Sequence, residues 1–159
     1  MLSGFDFGTS NCAIGVVDQS NNKQRVKLLP IDNGQTFMPS ALYSIHRDLI
    51  CESTARLMSD KDSQTSFMLQ RTSQLEQAKR VRINEQIDTL ANTIFVGQQA
   101  FDEYLSFPGE GYFVKSVKSF LGSTGLQPKA IEFFEDIVTA MMLTIKQRAE
   151  QSLNKAITH

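Results

Sequence analysis

Two apolar runs near the start of the chain, residues 2–7 and 13–17, are split only by a small polar turn of Gly8, Thr9, Ser10 and Asn11. Short runs rich in Phe, Ile and Val around such a turn predict a buried β-hairpin. The second run ends in a polar turn at residues 18–22, and residues 24–29 alternate around Val26 and Leu28 as a third strand. Asp32, Asn33, Gly34 and Gln35 form a turn, and residues 37–45 return as extended chain. Pro39 near the start of that segment suits a strand beginning or an edge.

From residue 54 to 92 the chain is rich in Gln, Arg, Lys, Ser and Leu and has neither Gly nor Pro, which predicts helix interrupted at Asp60, Lys61, Asp62 and Ser63. Leu75, Ala78, Arg82, Ile83, Ile87 and Leu90 trace a weak apolar stripe at helical spacing. Residues 94–97 read as a short strand stopped by Gly97, residues 98–105 as a brief helix, and residues 112–114 as a strand after a loop holding Pro108, Gly109 and Gly111. The clearest helix is the last. Pro128 fits its first turn, and Glu132, Glu135 and Asp136 lie toward its positive end. Ile131, Phe134, Val138, Met141, Ile145, Ala149 and Leu153 step by three or four to make one apolar face, and Lys146, Arg148 and Lys155 lie toward the negative end.

Composition narrows the function classes. Lys plus Arg number 16 against 17 acids in 159 residues, so no global field draws the chain to nucleic acid or to a membrane surface. Lys79, Arg80 and Arg82 therefore read as a solvated helix face, since acids balance them and no aromatics interleave. No apolar stretch has the length of a membrane span. Cys12 and Cys51 are the only cysteines and form no CxxC pair, which favours a reducing, cytoplasmic compartment.

Chemistry concentrates in Gly4, Phe5, Asp6, Phe7, Gly8, Thr9, Ser10 and Asn11. An acid at the end of an apolar strand, then Gly and two hydroxyls in a tight turn, suits a phosphate and a metal ion. Gly8 lets backbone approach an anion, and successive N–H groups of such a turn form an anion-binding concavity. Asp6 can hold Mg²⁺ directly or through water. The loop is neither a Walker A sequence nor GxGxxG. A plain hairpin turn whose Gly, Thr and Ser only satisfy backbone groups remains open on these residues alone.

This hairpin resembles that of the actin-like ATPase superfamily, which includes DnaK-type heat-shock chaperones, bacterial actins and sugar kinases. The chaperone pattern I-G-I-D-L-G-T-T-N-S is the most similar. The segment ending in Thr36, Phe37, Met38, Pro39 and Ser40 resembles the chaperones' T-P-S segment, and Val96, Gly97, Gln98, Gln99 and Ala100 resemble V-G-Q-x-A. Val117, Lys118, Ser119, Phe120, Leu121 and Gly122 resemble A-K-R-L-I-G, with Ser119 where chaperones usually carry Arg. Asn11 and Cys12, the lead-in Phe113, Val114, Lys115 and Ser116, and residues 122–128 look like the YegD branch of DnaK-like chaperones.

The resemblance implies an α/β fold: an incomplete ribonuclease-H-like, actin-type ATPase lobe (residues 1–45 and 123–159) with a small α+β sub-domain (46–122) and a long C-terminal helix. It implies ATP and Mg²⁺ as ligands. Asp6 would be the Mg²⁺-associated acid, Gly8, Thr9, Ser10 and Asn11 would line the ATP phosphates, and Lys118 would reach the γ-phosphate and the attacking water. Without the resemblance, Lys115 and Lys118 are indistinguishable. No DxGGGT loop, GGSSR-like run or substrate-binding domain follows residue 122. The chain is thus expected to be the N-terminal part of a longer cytoplasmic stress-response ATPase, inactive by itself. Unfolded clients and co-chaperones would be engaged through the missing regions, with neither nucleic acid nor membrane as a partner. The rivals are a bacterial actin-like filament ATPase, a sugar kinase, and a non-catalytic interaction module docking through residues 54–92.

Overall fold

A computed structural model describes residues 2–18, 25–120, 125 and 127–157. Among these residues the chain is mixed α/β, with two small antiparallel sheets and five α-helices, the last one long. The first sheet holds β1 (Ser3–Phe7), β2 (Asn11–Asp18), β3 (Arg25–Leu28) and β4 (Met38–Pro39). β2 is its centre: β1 pairs along one side, while β3 and β4 share the other at opposite ends of β2. The second sheet has β5 (Ala41–Ser44) between β6 (Ile94–Val96) and β7 (Tyr112–Lys115). Only Ser40 separates β4 from β5, so the chain passes from one sheet to the other at a single residue.

Between β5 and β6 run a 3-10 helix at Arg47–Leu49 and three helices, α1 (Ile50–Leu57), α2 (Lys61–Gln70) and α3 (Thr72–Asn84). Helix therefore begins earlier than residue 54 and ends well before 92. The expected interruption near residue 60 is present because the Asp60 side chain accepts from the Ser63 N–H at 2.8 Å and caps α2. A second break at Arg71, between α2 and α3, has no sequence signal. α4 (Gln98–Ser106) follows Gly97, whose φ of 77° and tight contacts admit no side chain: a Cβ there would meet Met38 and Asp32. The turn at residues 19–22, the first residue of the expected third strand (Gln24), and Leu121 and Gly122 lie outside the described residues.

α5 (Pro128–Leu153) starts with Pro in its first turn and ends at Asn154 in the left-handed conformation, φ 48°. Its buried residues are Asp136, Ile137, Ala140, Met141, Ile145 and Ala149. Six of the seven residues of the expected apolar face, Phe134, Val138, Met141, Ile145, Ala149 and Leu153, join the core, with Ile137 and Ala140 added and Ile131 left exposed. α1 packs along α5. One cluster joins Cys12, Ile14 and Val16 of β2 with Leu29, Ile31 and Met38, with Leu42, Ile94, Val96 and Val114 of the second sheet, and with α5. On the other face of β5, Ala41 and Tyr43 pack with Ala100, Phe95, Phe101 and Phe113 under α4.

The hairpin departs from expectation in one respect. β2 is buried, but four of the five residues of β1 are exposed and only Phe7 is partly covered. The reason is positional: β1 is an edge strand with one neighbour, and the core formed with α5 lies over β2. Asp6 is therefore an exposed acid and not one forced to find a partner by burial.

Candidate functional site

β1 and β2 deliver Asp6 and the 8–11 turn to one end of the first sheet. Asp6 is paired in register with Ala13, which places it on the face opposite Phe7 and core-facing Cys12. The turn is closed by the Gly8 N–H donating to the Asn11 carbonyl at 3.1 Å. A Cβ at Gly8 would run into that same carbonyl. Gly8 is therefore required by the turn itself, whatever approaches it from outside. Thr9, Ser10 and Asn11 are exposed, leaving the two hydroxyls and the amide open to solvent.

Lys118 reaches this neighbourhood through Ser40. The Ser40 N–H donates to the Ser10 carbonyl at 2.9 Å, and its own carbonyl accepts from the Ser116 N–H at 2.9 Å. Ser116 has a φ of 58°, unusual for a residue with a Cβ, and its carbonyl accepts from the Ser119 N–H at 2.9 Å. That bend turns β7 into the 3-10 helix Val117–Phe120, anchored by fully buried Val117, with Lys118 exposed on it. Lys115 ends β7 opposite Ala41, on the strand face that carries Phe113 toward α4. The two lysines are thus separated by the Ser116 bend.

Cys12 follows the turn as the second residue of β2 and is fully buried. Burial pushes its thiol up from the ordinary cysteine range, hydrogen bonds at Ser40 and Gly8 work against that, Asp6 adds to it and the Lys118 ammonium opposes it. The hairpin carries Asp6, Gly8, Thr9, Ser10 and Asn11, and the Ser40 bridge ties Ser10 to Ser116, two residues before Lys118.

Among the described residues no cluster of three His, Cys, Asp or Glu side chains could hold a metal on its own. A single exposed carboxylate beside exposed hydroxyls fits Mg²⁺ that arrives with phosphate oxygens and keeps most of its water, and does not fit an all-protein metal cage.

A cleft of about 660 Å³ lies elsewhere, lined by Arg47, Gln70, Gln74, Arg80, Lys129 and Asp136 among others. Size alone would make it the default site. Its buried charges, however, already satisfy each other. Arg71 donates to Asp136 at 3.0 Å and to Glu135 at 2.9 Å, and Arg71 and Asp136 are nearly inaccessible. Burial raises the Asp136 carboxyl, with Arg71 pulling it back, and burial followed by the Asp136 charge pushes the Cys51 thiol up to about 12. Such a closed set holds helices together. Arg82, read from sequence as part of a solvated face, is buried and donates to Glu52 at 2.6 Å, while Lys79 and Arg80 are exposed. Arg148, expected only to complement the helix dipole, ties α5 to Asp32 at 3.0 Å and to the carbonyls of Ile31 and Val96.

No protein-family model matches the sequence.

Proposed function

We propose that this chain is the N-terminal part of a DnaK-type, actin-like ATPase of the cytoplasm, with a ribonuclease-H-like first lobe. In this reading the 8–11 turn holds ATP phosphates with Mg²⁺ beside Asp6. The observation that carries it is the Ser10–Ser40–Ser116 backbone bridge, which delivers Lys118 from a distant part of the chain to the end of the sheet that bears the turn. The cation's role follows from its chemistry. A fixed ammonium stabilises charge that shifts onto the transferring phosphoryl group, and the exposed Thr9 and Ser10 hydroxyls are donors open to an anion. Mg²⁺, when bound, would neutralise phosphate charge, and Asp6 would be the residue that holds it through water. Nucleotide held from one side alone loses positioning, so the chain by itself is expected to hydrolyse no ATP.

The test is Lys118→Ala in the complete protein. Single-turnover hydrolysis should fall by about 10²–10³, as when one transition-state donor is removed, with ATP affinity much less affected. Lys115→Ala, on the other side of the Ser116 bend, should leave hydrolysis nearly intact. A dead Lys115 variant, or full activity in both, overturns the assignment. A non-catalytic docking role draws on one observation of its own: α2 buries none of its residues and leaves Met68 and Leu69 exposed. Failure to bind ATP in the complete protein would favour it.

A further inference from the structure

Ser40 stands at the only residue between the two sheets, and every polar group it has is engaged. Its hydroxyl donates to the Gly8 carbonyl at 2.7 Å. The Cys12 thiol hydrogen-bonds with the same hydroxyl oxygen at 3.2 Å. Its N–H holds the Ser10 carbonyl and its carbonyl holds the Ser116 N–H. Ser40 is 2% exposed, so none of these bonds is shared with water at the surface. One residue thus fixes both ends of the 8–11 turn and the bend that launches Lys118.

We infer that Ser40 is a positioning residue, one that sets the phosphate turn and Lys118 in register with each other. This rests on the ATPase reading above. The backbone bonds alone would locate Ser10 and Ser116, as any residue at position 40 could. The hydroxyl adds the brace on the Gly8 carbonyl, and so controls the pitch of the turn relative to Lys118. Small misplacements of a transition-state group are costly even when binding is intact, because catalysis needs near-attack geometry that binding does not. Cys12 and Ser40 are both buried, whereas Thr9, Ser10 and Asn11 are exposed, so Ser40 acts through the turn and not on the nucleotide.

The experiment is Ser40→Ala in the complete protein, alone and combined with Lys118→Ala. Ser40→Ala should slow single-turnover hydrolysis by about ten- to a hundredfold while ATP affinity stays close to the parent's. In the Lys118→Ala background it should add little, because register with an absent lysine has no value. Amide exchange at Gly8 should quicken in Ser40→Ala. Ser40→Gly takes its place, with the same readouts, if the alanine variant does not fold. Full hydrolysis in Ser40→Ala, with Lys118→Ala slow, overturns the inference and leaves the ATPase reading standing. A multiplicative loss in the double variant also overturns it, since that marks a generally weakened fold. Full hydrolysis in Lys118→Ala overturns the ATPase reading itself.

Discussion

β1 and β5 are both short strands, and β1 is the more aromatic of the two, yet their fates differ. All four residues of β5 are buried, whereas four of the five in β1 are exposed. β5 has a strand on each side and a packed cluster on each face. β1 has one neighbour and an open edge. Apolar content therefore did not decide burial; place in the sheet did. The covered region around β5 supplies stability, and the bare end of the first sheet is where groups remain available to a ligand.

That contrast can be broken by mutation, and the largest effect is expected from charges in the covered region. Arg71→Ala leaves Asp136 buried without its cation and should cost about 3–5 kcal/mol in urea denaturation, as losing one member of a buried pair does. A loss near that of a surface change would place the pair in solvent. Leu42→Ala, inside β5 at 0% exposure, should cost about 2–5 kcal/mol. Val26→Ala, in β3 at 72% exposure, should stay within about 0.5 kcal/mol. Equal losses at Leu42 and Val26 would erase the distinction between the sheets.

The smallest effect sharpens the contrast without changing stability. Both thiols are buried and shifted up, Cys51 to about 12, so both are neutral at pH 8 in the native state. Thiolate is the reactive form, so alkylation should be slow for each and become fast on unfolding. With rising urea, Cys12 should label before Cys51, because it sits beside the sparsely covered hairpin. Simultaneous labelling would show that the two regions open as one unit.

Most strands were legible because their signals are local. The 2–7 and 13–17 runs, the strand closed by Gly97 and the Pro128 start of α5 each carry turn or cap residues within a few positions. Burial was less legible, since it depends on what packs from far away. Nothing in Asp6 or its neighbours reveals that β1 is an edge. Ile137 and Ala140 are core while Ile131 is exposed, because the partner α1 fixes which face of α5 turns inward. Arg71 and Asp136 are 65 positions apart, so no spacing rule could pair them. At the site, the hairpin residues could be read directly. Lys118 was told from Lys115 only by the family resemblance, and Ser40 was marked only as the end of the T-P-S-like segment.

The Ser40 junction also has a consequence in time. Its side-chain bonds span 28 and 32 positions, and its backbone bond to Ser116 closes a longer loop still. Helices such as α5 need only neighbours along the chain, whereas these bonds are rewarded only after the entropy of large loops has been lost. The candidate site is thus assembled late in folding, after its supports. A chain caught partway would hold its helices while the 8–11 turn and the segment bearing Lys118 were still apart, and only the meeting of the two sheets would join them.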